Sequence, residues 1–363
     1  MIALLFVIIA LGLILEVISL RRDPNKVKID SSISEQVTEP GAPFKVQTVI
    51  TNRSLIPFSY LSVSEVYPAV AKLPESMTFL TKNDGIYTKM VCRIRGRQRK
   101  KLILETSIKK RGIHTFKGDS VEFGDFLGFR EFSLRAAYRR EIVVYPEKLE
   151  HPGLTDALGR FCGDVAAKRY LIRDPILTVG SREYTGREPM KEIHWLQSAH
   201  RSELMVREFD YNRQLSVCVI LSVEGIDPWG EQEIDECCAI ARTVCETLVS
   251  AGAAVNFFTN ALLRRKEDKE YWKCEVSSGS TGALLEGLGR ASSYGCGPLE
   301  RLLIYALREN DYDAAFILIL PSGEKRGEEA ANRLRSSTGQ EVLVINAGAV
   351  YSGTDERARE ITV

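Results

Sequence analysis

Residues 214–252 read QLSVCVILSVEGIDPWGEQEIDECCAIARTVCETLVSAG, and this stretch predicts a buried strand followed by an amphipathic helix. The first ten residues form an almost continuous apolar run, which suits a strand buried on both faces. The segment after it repeats apolar residues at helical spacing from Ile234 to Leu248 and stops at Gly252. Further strands and helices alternate up to residue 346. Such alternation indicates parallel βαβ units, so residues 213–363 are predicted to form a doubly wound α/β domain.

The segment before it, residues 26–145, has the pattern of short strands. Six segments are rich in β-branched and aromatic residues, for example PFKVQTVITN at 43–52 and FSYLSVSEVY at 58–67. Turn sequences such as NDG at 83–85 separate them. Six or more such strands predict an immunoglobulin-like β-sandwich over residues 24–146.

The first twenty residues read MIALLFVIIALGLILEVISL and contain one charged side chain, Glu16. At about 1.5 Å per residue, this run just crosses a hydrocarbon core of roughly 30 Å. A cleaved signal peptide is the alternative, but it requires basic residues before the apolar run, and Arg21 and Arg22 follow it. The positive-inside rule then predicts a single-pass plasma-membrane protein, held in lipid by residues 1–20, with its later domains in the cytoplasm.

Charge and cysteine content exclude some classes of protein. The net charge of +1 gives no overall attraction to nucleic acid, so no nucleic-acid partner is predicted. The eight cysteines form no CxxC pair, which indicates free thiols in a reducing compartment. Residues 93–101 hold six basic side chains. Contact with anionic lipid headgroups and a solvated hairpin tip both explain this cluster, and the solvated tip is favoured.

A charged block at residues 180–209 reads GSREYTGREPMKEIHWLQSAHRSELMVREF. Pro189 suits the first turn of a helix that would carry Met190, Ile193 and Leu196 on one stripe, and a strand follows. One interpretation is a connecting element with Trp195 packed inward and its charges paired, and we favour it because paired charge is usually architectural. The other is a docking surface with Trp195 and arginines as anchors.

The same block carries a family resemblance. The runs Arg182-Glu183-Tyr184-Thr185-Gly186, Ile193-His194-Trp195 and Val206-Arg207-Glu208 resemble the signature of the domain of unknown function (DUF) family 58. Arg111-Gly112 and the segment GDFLGF at 124–129 resemble the end of that family's β-domain. The resemblance covers nearly the whole chain. It implies a membrane-anchored protein whose C-terminal half is similar to a von Willebrand factor A domain, and which serves a MoxR-type AAA+ ATPase as adaptor or client.

The resemblance also marks candidate interaction residues in the block. They are Arg182, Tyr184, Gly186, His194, Trp195, Arg201 and Arg207. The family pattern has an aspartate after the proline-glycine of its signature, whereas this chain reads Thr185-Gly186-Arg187. The missing carboxylate argues against metal chemistry here.

A von Willebrand A metal site needs Asp-x-Ser-x-Ser after the first α/β strand, since a hard cation requires carboxylate and hydroxyl oxygens on one loop. This chain has Ser222-Val223-Glu224-Gly225-Ile226 instead. We therefore interpret Ser222, Glu224 and Asp227 as a degenerate metal-site loop, and we predict no metal and no cofactor. A displaced carboxylate from Glu224 or Asp227 keeps one alternative open, a divalent-cation-dependent ligand-binding protein.

The sequence evidence for a catalytic motif is weaker than the evidence for a metal site. His194 and His200 are six residues apart, so they point to different faces of a helix and form no metal pair. No cysteine has a local histidine context, and the run SGSTG at 278–282 lacks the strand-to-helix elbow of a nucleophilic serine. We therefore predict that the protein is not an enzyme. A hydrolase would require a pocket that holds an unrecognised nucleophile and a base.

The predicted fold class is an α+β multidomain protein. Its parts are a transmembrane helix at 1–20, an immunoglobulin-like β-sandwich at 24–146, a connecting segment at 147–212, and a doubly wound, Rossmann-like α/β domain of the von Willebrand A type at 213–363. The predicted function is that of a membrane-anchored, non-enzymatic adaptor or assembly protein that acts with a MoxR-type ATPase.

Overall fold

The computed structural model describes most of the chain. The described residues are 26–74, 77, 79–124, 131–136, 138–171, 178–186, 188–209, 215–227, 230–264, 271–277, 279–310, 313–322 and 327–351, together with Ala10, Ile14 and Val17. The chain divides into two compact units. The first comprises Met1–Glu147 with Leu285–Ala291, and the second comprises Lys148–Leu284 with Ser292–Val363. The predicted connecting segment, 147–212, therefore falls almost wholly in the second unit.

The first unit is a sandwich of two mainly antiparallel sheets, with β2 pairing parallel to β11, and it confirms the β-sandwich predicted for residues 24–146. Its strands are β1 (Val27–Ile33), β2 (Val37–Thr38), β3 (Pro43–Asn52), β4 (Phe58–Tyr67), β5 (Ala71–Lys72), β6 (Phe79–Lys82), β7 (Gly85–Ile94), β8 (Arg99–Ile108), β9 (Gly112–Gly124), β10 (Glu131–Arg135) and β11 (Arg139–Val144). One sheet has the order β1-β3-β8-β5. The other has the order β2-β11-β9-β4-β7-β6, with β10 paired to β9.

The sandwich core lies between these two sheets because each strand turns alternate side chains inward. Phe58 and Phe123 meet edge to face at 5.1 Å between ring centroids, and Ile50 from the opposite sheet joins their cluster. Phe44 and Phe116 form a second such pair at 5.9 Å. Each fully buried side chain of this size contributes roughly 1.5–3 kcal/mol to folding.

One carboxylate lies inside the sandwich. Glu65 is 3% exposed, and it accepts hydrogen bonds from Thr48 Oγ1 at 2.5 Å, from Tyr67 OH at 2.9 Å and from Tyr138 OH. Burying a carboxylate is costly unless its oxygens find donors, and these three hydroxyl groups supply them.

Residues 285–291 belong to the first unit through two close contacts. Arg111 Nη1 donates to the carbonyl oxygens of Leu288 and Ala291 at 2.6 and 2.9 Å. Gly289 lies against β11, where a Cβ atom would be 2.6 Å from Val143 Cγ1. Arg111 thus holds this segment against the sandwich through two hydrogen bonds.

The second unit contains helices and shorter strands. They are α1 (Pro152–Leu171), β12 (Thr178–Glu183), α2 (Trp195–Arg201), β13 (Met205–Phe209), β14 (Ser216–Leu221), α3 (Glu231–Ser250), β15 (Ala254–Thr259), β16 (Ala261–Leu263), β17 (Trp272–Val276), α4 (Thr281–Arg290, shared with the first unit), β18 (Ala291–Gly295), α5 (Leu299–Glu309), β19 (Ala315–Leu320), α6 (Gly327–Thr338), β20 (Val342–Asn346) and α7 (Ala347–Tyr351). A 3-10 turn spans Met190–Glu192.

The main sheet of this unit has the order β17-β15-β14-β19-β20. The apolar run at the centre of the sequence forms β14, whose residues Val217 to Leu221 are all buried. On one face Cys218 and Ile220 pack with α5 and α6, through side chains such as Leu302 and Leu334. Helix α3 buries the predicted apolar stripe from Ile234 to Leu248 and contacts β14, β15 and β19. The sheet thus packs against α5 and α6 in one apolar cluster and also contacts α3.

The predicted fold class is wrong, however. Among the described residues, strand residues outnumber helical residues, 44% to 30%, and these residues form no clear doubly wound α/β domain of the von Willebrand A type. The sheet departs from the predicted parallel arrangement at the strand that follows β15 and β16 in the chain. The chain passes through β16 to β17 with no helix among the described residues between them, and β17 returns antiparallel to β15. A parallel return requires a crossover connection, so the sheet is mixed.

The prediction of a single-pass plasma-membrane protein is also wrong. Within the part of the chain that the structure describes, no helix is sufficiently long and apolar to cross a membrane. The longest described helices, α1 and α3, have 20 residues each, and both carry charged side chains, such as Asp156 and Glu236. The predicted anchor at residues 1–20 lies outside the described residues, except for Ala10, Ile14 and Val17.

Candidate functional site

The charged block at 180–209 folds as a small module on a two-stranded ribbon. Strands β12 and β13 pair antiparallel, with Arg182 opposite Val206 and Glu183 opposite Met205. An isolated bridge joins Ile193 to Val206. Ile193, Met205 and Val206 are each at most 2% exposed, so apolar packing holds the module in place.

Helix α2 begins later in the sequence than predicted. Its N-cap is His194, whose Nδ1 accepts the N–H of Gln197 at 3.2 Å. Ser198 Oγ donates to the carbonyl of His194 at 3.0 Å and accepts the N–H of Met205 at 2.8 Å. These bonds fix the helix on β13.

This later start places large apolar side chains on the surface. Trp195 is 59% exposed, and Leu196 is 70% exposed. Met190 from the 3-10 turn and Leu204 before β13 are 69% and 46% exposed. We call these four residues the apolar patch. The expectation that Trp195 packs inward is wrong. Several large apolar side chains exposed on one small module are typical of an interaction site.

The turn between β12 and the 3-10 segment is held by Glu188. Its carboxylate accepts the hydroxyl of Thr185 at 2.8 Å and the N–H of Thr185 at 3.1 Å, and it pairs with Arg182 Nη1 at 2.7 Å. The Thr185 hydroxyl and the Arg182 guanidinium lower the pKa of Glu188 to about 2. Gly186 has φ +88°, a conformation that favours glycine.

The other predicted residues lie in the same module. Tyr184 donates its N–H to the carbonyl of Leu204 at 2.8 Å, and it is half-buried. Arg201 ends α2 and is exposed, as is Arg207 on β13. Arg182, Gly186 and Tyr184 therefore shape the module, whereas Trp195, Arg201 and Arg207 present side chains at its surface.

The Ser222–Asp227 loop is closed by hydrogen bonds at the carboxyl end of β14. Glu224 Oε2 accepts the N–H of Leu299 at 2.6 Å, at the first turn of α5. The buried Asn260 accepts the N–H of Val223 at 2.9 Å and donates to the carbonyl of Gly297 at 2.8 Å. Ser222 Oγ accepts the N–H of Glu224 at 3.2 Å. The Ser222 hydroxyl and the Glu224 carboxylate thus accept hydrogen bonds from backbone N–H groups.

The residues present do not fit a divalent cation at this loop. In the described ranges, no group of three or more His, Cys, Asp or Glu side chains is placed to hold a metal ion. A hard cation needs several oxygen ligands on one site, and the Glu224 carboxylate already caps a helix.

The cysteine thiols show no sign of activation. Burial raises the pKa of Cys162 and Cys296, and it also raises the pKa of the deeply buried Cys218 and Cys245. A nucleophilic cysteine requires the opposite shift, which stabilises the thiolate.

Sequence reasoning missed a groove between α5 and α6. It encloses about 330 Å³ and is lined by apolar residues such as Leu303 and Leu334, with the exposed Ile304 at its side. Glu300 and Arg333 pair at 2.8 Å on its rim. The only signal in the sequence was the apolar Ile304 on the polar side of the predicted helix. Pairing of two helices about thirty residues apart in the chain cannot be seen from local sequence.

Comparison with known proteins identifies no family for this chain. No protein-family model matches it, and no curated protein sequence does either. Among solved structures, a cohesin module from a family 33 glycoside hydrolase of Clostridium perfringens aligns with 32% of this chain and 96% of its own, at 13% identity and a TM-score of 0.27. A non-cellulosomal cohesin from Archaeoglobus fulgidus aligns with 33% of this chain and 91% of its own, at 16% identity and a TM-score of 0.24. Similarities this weak carry no argument about function.

Proposed function

We propose that this protein is a non-enzymatic adaptor that binds a partner protein through the apolar patch. The observation that carries the proposal is the exposure of Trp195 on a rigid, hydrogen-bonded module. The resemblance of the block to DUF family 58 names the partner, a MoxR-type AAA+ ATPase. Arg201 and Arg207 are exposed on the same module.

The physical case rests on the residue types involved. Tryptophan and arginine are the side chains whose truncation most often weakens a protein interface by 2 kcal/mol or more. Four large apolar side chains on fifteen residues of chain are also costly to leave in water, at roughly 25 cal/mol per Å². Because the module is already ordered by the His194 cap and the Ser198 bonds, little conformational entropy is lost on binding.

Three of the four histidines bind the backbone through one ring nitrogen. His194 Nδ1 caps α2, and His151 Nδ1 accepts the N–H of Leu154 at 3.1 Å. His114 Nε2 lies 2.7 Å from the carbonyl oxygen of Lys110. Each contact involves one ring nitrogen and a backbone group, so these histidines help to fix local structure.

Binding of a purified MoxR-type ATPase to the full chain tests the proposal. Calorimetry with wild type and Trp195→Ala should show at least a tenfold loss of affinity in the variant. Ile304→Ala is the matched control, since Ile304 is also 59% exposed but lies outside the apolar patch. If wild type and Trp195→Ala bind equally, or if no complex forms, the proposal is wrong.

The cation-dependent alternative has its own test. Titration with magnesium or manganese would release heat if the Ser222–Asp227 loop held an ion, and Glu224→Gln would abolish that heat. We expect no cation-dependent heat, because the Glu224 carboxylate is bound to the N–H of Leu299.

A further inference from the structure

The basic residues at 93–101 run from the end of β7 through a turn into β8, whose outer edge the adaptor function does not use. Strand β8 pairs with β3 on one side from Arg99 to Ser107. On its other side β5 pairs only with Ser107 and Ile108. Among the described strands, none pairs with this outer edge of residues 99–105, so their outward backbone groups are available for pairing.

Cations surround this edge. Arg99 and Lys101 are exposed on the outer face of β8, next to Ile103, which is 56% exposed. Arg95 and Arg97 are exposed in the turn before it. None of these four cations makes an ion pair with the described residues. Across residues 26–147 lysine and arginine outnumber aspartate and glutamate by 21 to 13, an excess that the net charge of the whole chain conceals.

A buried polar network holds the turn in place. Asn52 is 1% exposed, and its Nδ2 donates to the carbonyls of Arg95 and Ile56, each at 3.0 Å. The N–H of Arg97 donates to the carbonyl of Ser54 at 2.8 Å. A solvated hairpin tip needs no such network. The charges are therefore positioned before any partner arrives, which lowers the entropic cost of binding.

We propose that the outer edge of β8 binds an extended, acidic polypeptide segment as an additional strand. Main-chain hydrogen bonds to residues 99–105 would supply affinity, and alternating acidic side chains would meet Arg99 and Lys101. Ile103 offers an apolar contact for a side chain on the same face. An open strand edge pairs with polypeptide backbone, and a phosphate polymer has no groups in that register, so the geometry favours an acidic peptide over nucleic acid.

Fluorescence anisotropy with a labelled peptide of four Val-Glu repeats tests this proposal, and a Val-Lys peptide serves as the control probe. We expect the acidic peptide to bind the full chain, and Arg99→Glu combined with Lys101→Glu to weaken binding at least tenfold. Arg160→Glu combined with Arg301→Glu makes the same charge change at exposed sites in the second unit and should leave binding unchanged. Hydrogen exchange should show new protection at residues 99–105.

Three results would overturn the proposal. Absence of binding would show that the cations only protect the edge from pairing. Binding without new protection at residues 99–105 would show charge attraction without strand addition. Tighter binding of duplex DNA or of phosphatidylserine vesicles through Arg99 and Lys101 would assign the edge to another class of partner. None of these results depends on the apolar patch, so the adaptor proposal is judged separately.

Discussion

The carboxylate of Glu224 accepts the backbone N–H of Leu299 at 2.6 Å and so caps the N-terminus of α5. The first N–H groups of a helix lack partners within the helix, and a negative charge there is also favoured by the helix dipole. This contact gives the Ser222–Asp227 loop a structural role. It joins the end of β14 to a helix that comes seventy-five residues later.

Replacement of Glu224 by alanine should therefore destabilise the protein by about 1 kcal/mol, within the range of 0.5–2 kcal/mol for lost helix caps. Urea unfolding followed by circular dichroism measures the change. Glu300→Ala is the control, because Glu300 pairs with Arg333 where both side chains are 66% exposed, and such pairs contribute about 0–1 kcal/mol. Equal losses in the two variants would contradict the capping role.

Trp195→Ala should leave the free energy of unfolding unchanged to within about 0.5 kcal/mol, because the side chain is largely in water. Met205→Ala should cost about 2–5 kcal/mol, because Met205 is 1% exposed in the core of the same module. Thermal and denaturant unfolding of both variants would measure the difference. A large loss in Trp195→Ala would mean that the tryptophan is structural, and its effect on partner binding would then lose its meaning.

Much of the local structure could be predicted because it depends on local pattern. The run at 214–223 gave a buried strand, and the stripe from Ile234 to Leu248 gave α3. The direction of β17 could not be predicted. Its alternation is the same whether the strand runs parallel or antiparallel to β15, and the pairing of Val255 with Val276 decides between the two.

Which side chains are exposed on the module at 180–209 depends on where α2 begins. A start at Pro189 would have placed Met190, Ile193 and Leu196 on one stripe, whereas the cap at His194 separates them. Ile193 then joins the bridge to Val206 and is buried, and Leu196 is exposed. Histidine is a weaker sequence signal for the start of a helix than proline is. Its Nδ1 can nevertheless accept a backbone hydrogen bond as a side-chain oxygen would.

Stability should fall in alkaline solution because of two tyrosines in the sandwich. Burial raises the pKa of Tyr67 and of Tyr138, and the Glu65 carboxylate that accepts both hydroxyls raises each pKa further. The unfolded chain releases these protons near pH 10, whereas the folded chain keeps them. Their contribution to stability is therefore complete below about pH 10 and is lost progressively above it.

The loss should reach at most about 1.4 kcal/mol per pH unit for each tyrosine. Unfolding free energies measured in urea from pH 8 to 11 would give the slope. Tyr138→Phe should be less stable by about 1.5–3 kcal/mol at neutral pH, since it loses a hydrogen bond to a charged group, and should show a shallower slope. Tyr294→Phe, at an exposed position, should keep the wild-type slope.

Glu188 should stay ionised in acid that protonates most carboxylates. Its pKa is lowered to about 2 by the Thr185 hydroxyl and then by the Arg182 guanidinium. Because the folded-state pKa is depressed, the stabilising contribution is complete above the ordinary glutamate range and disappears as the pH falls through about 2. Carboxyl NMR titration of Glu188 would report this value directly. Thr185→Val and Arg182→Leu should each raise the pKa of Glu188 towards its ordinary range, whereas Lys191→Leu should not. Titration of wild-type Glu188 near pH 4 would show that these two contacts do not lower its pKa.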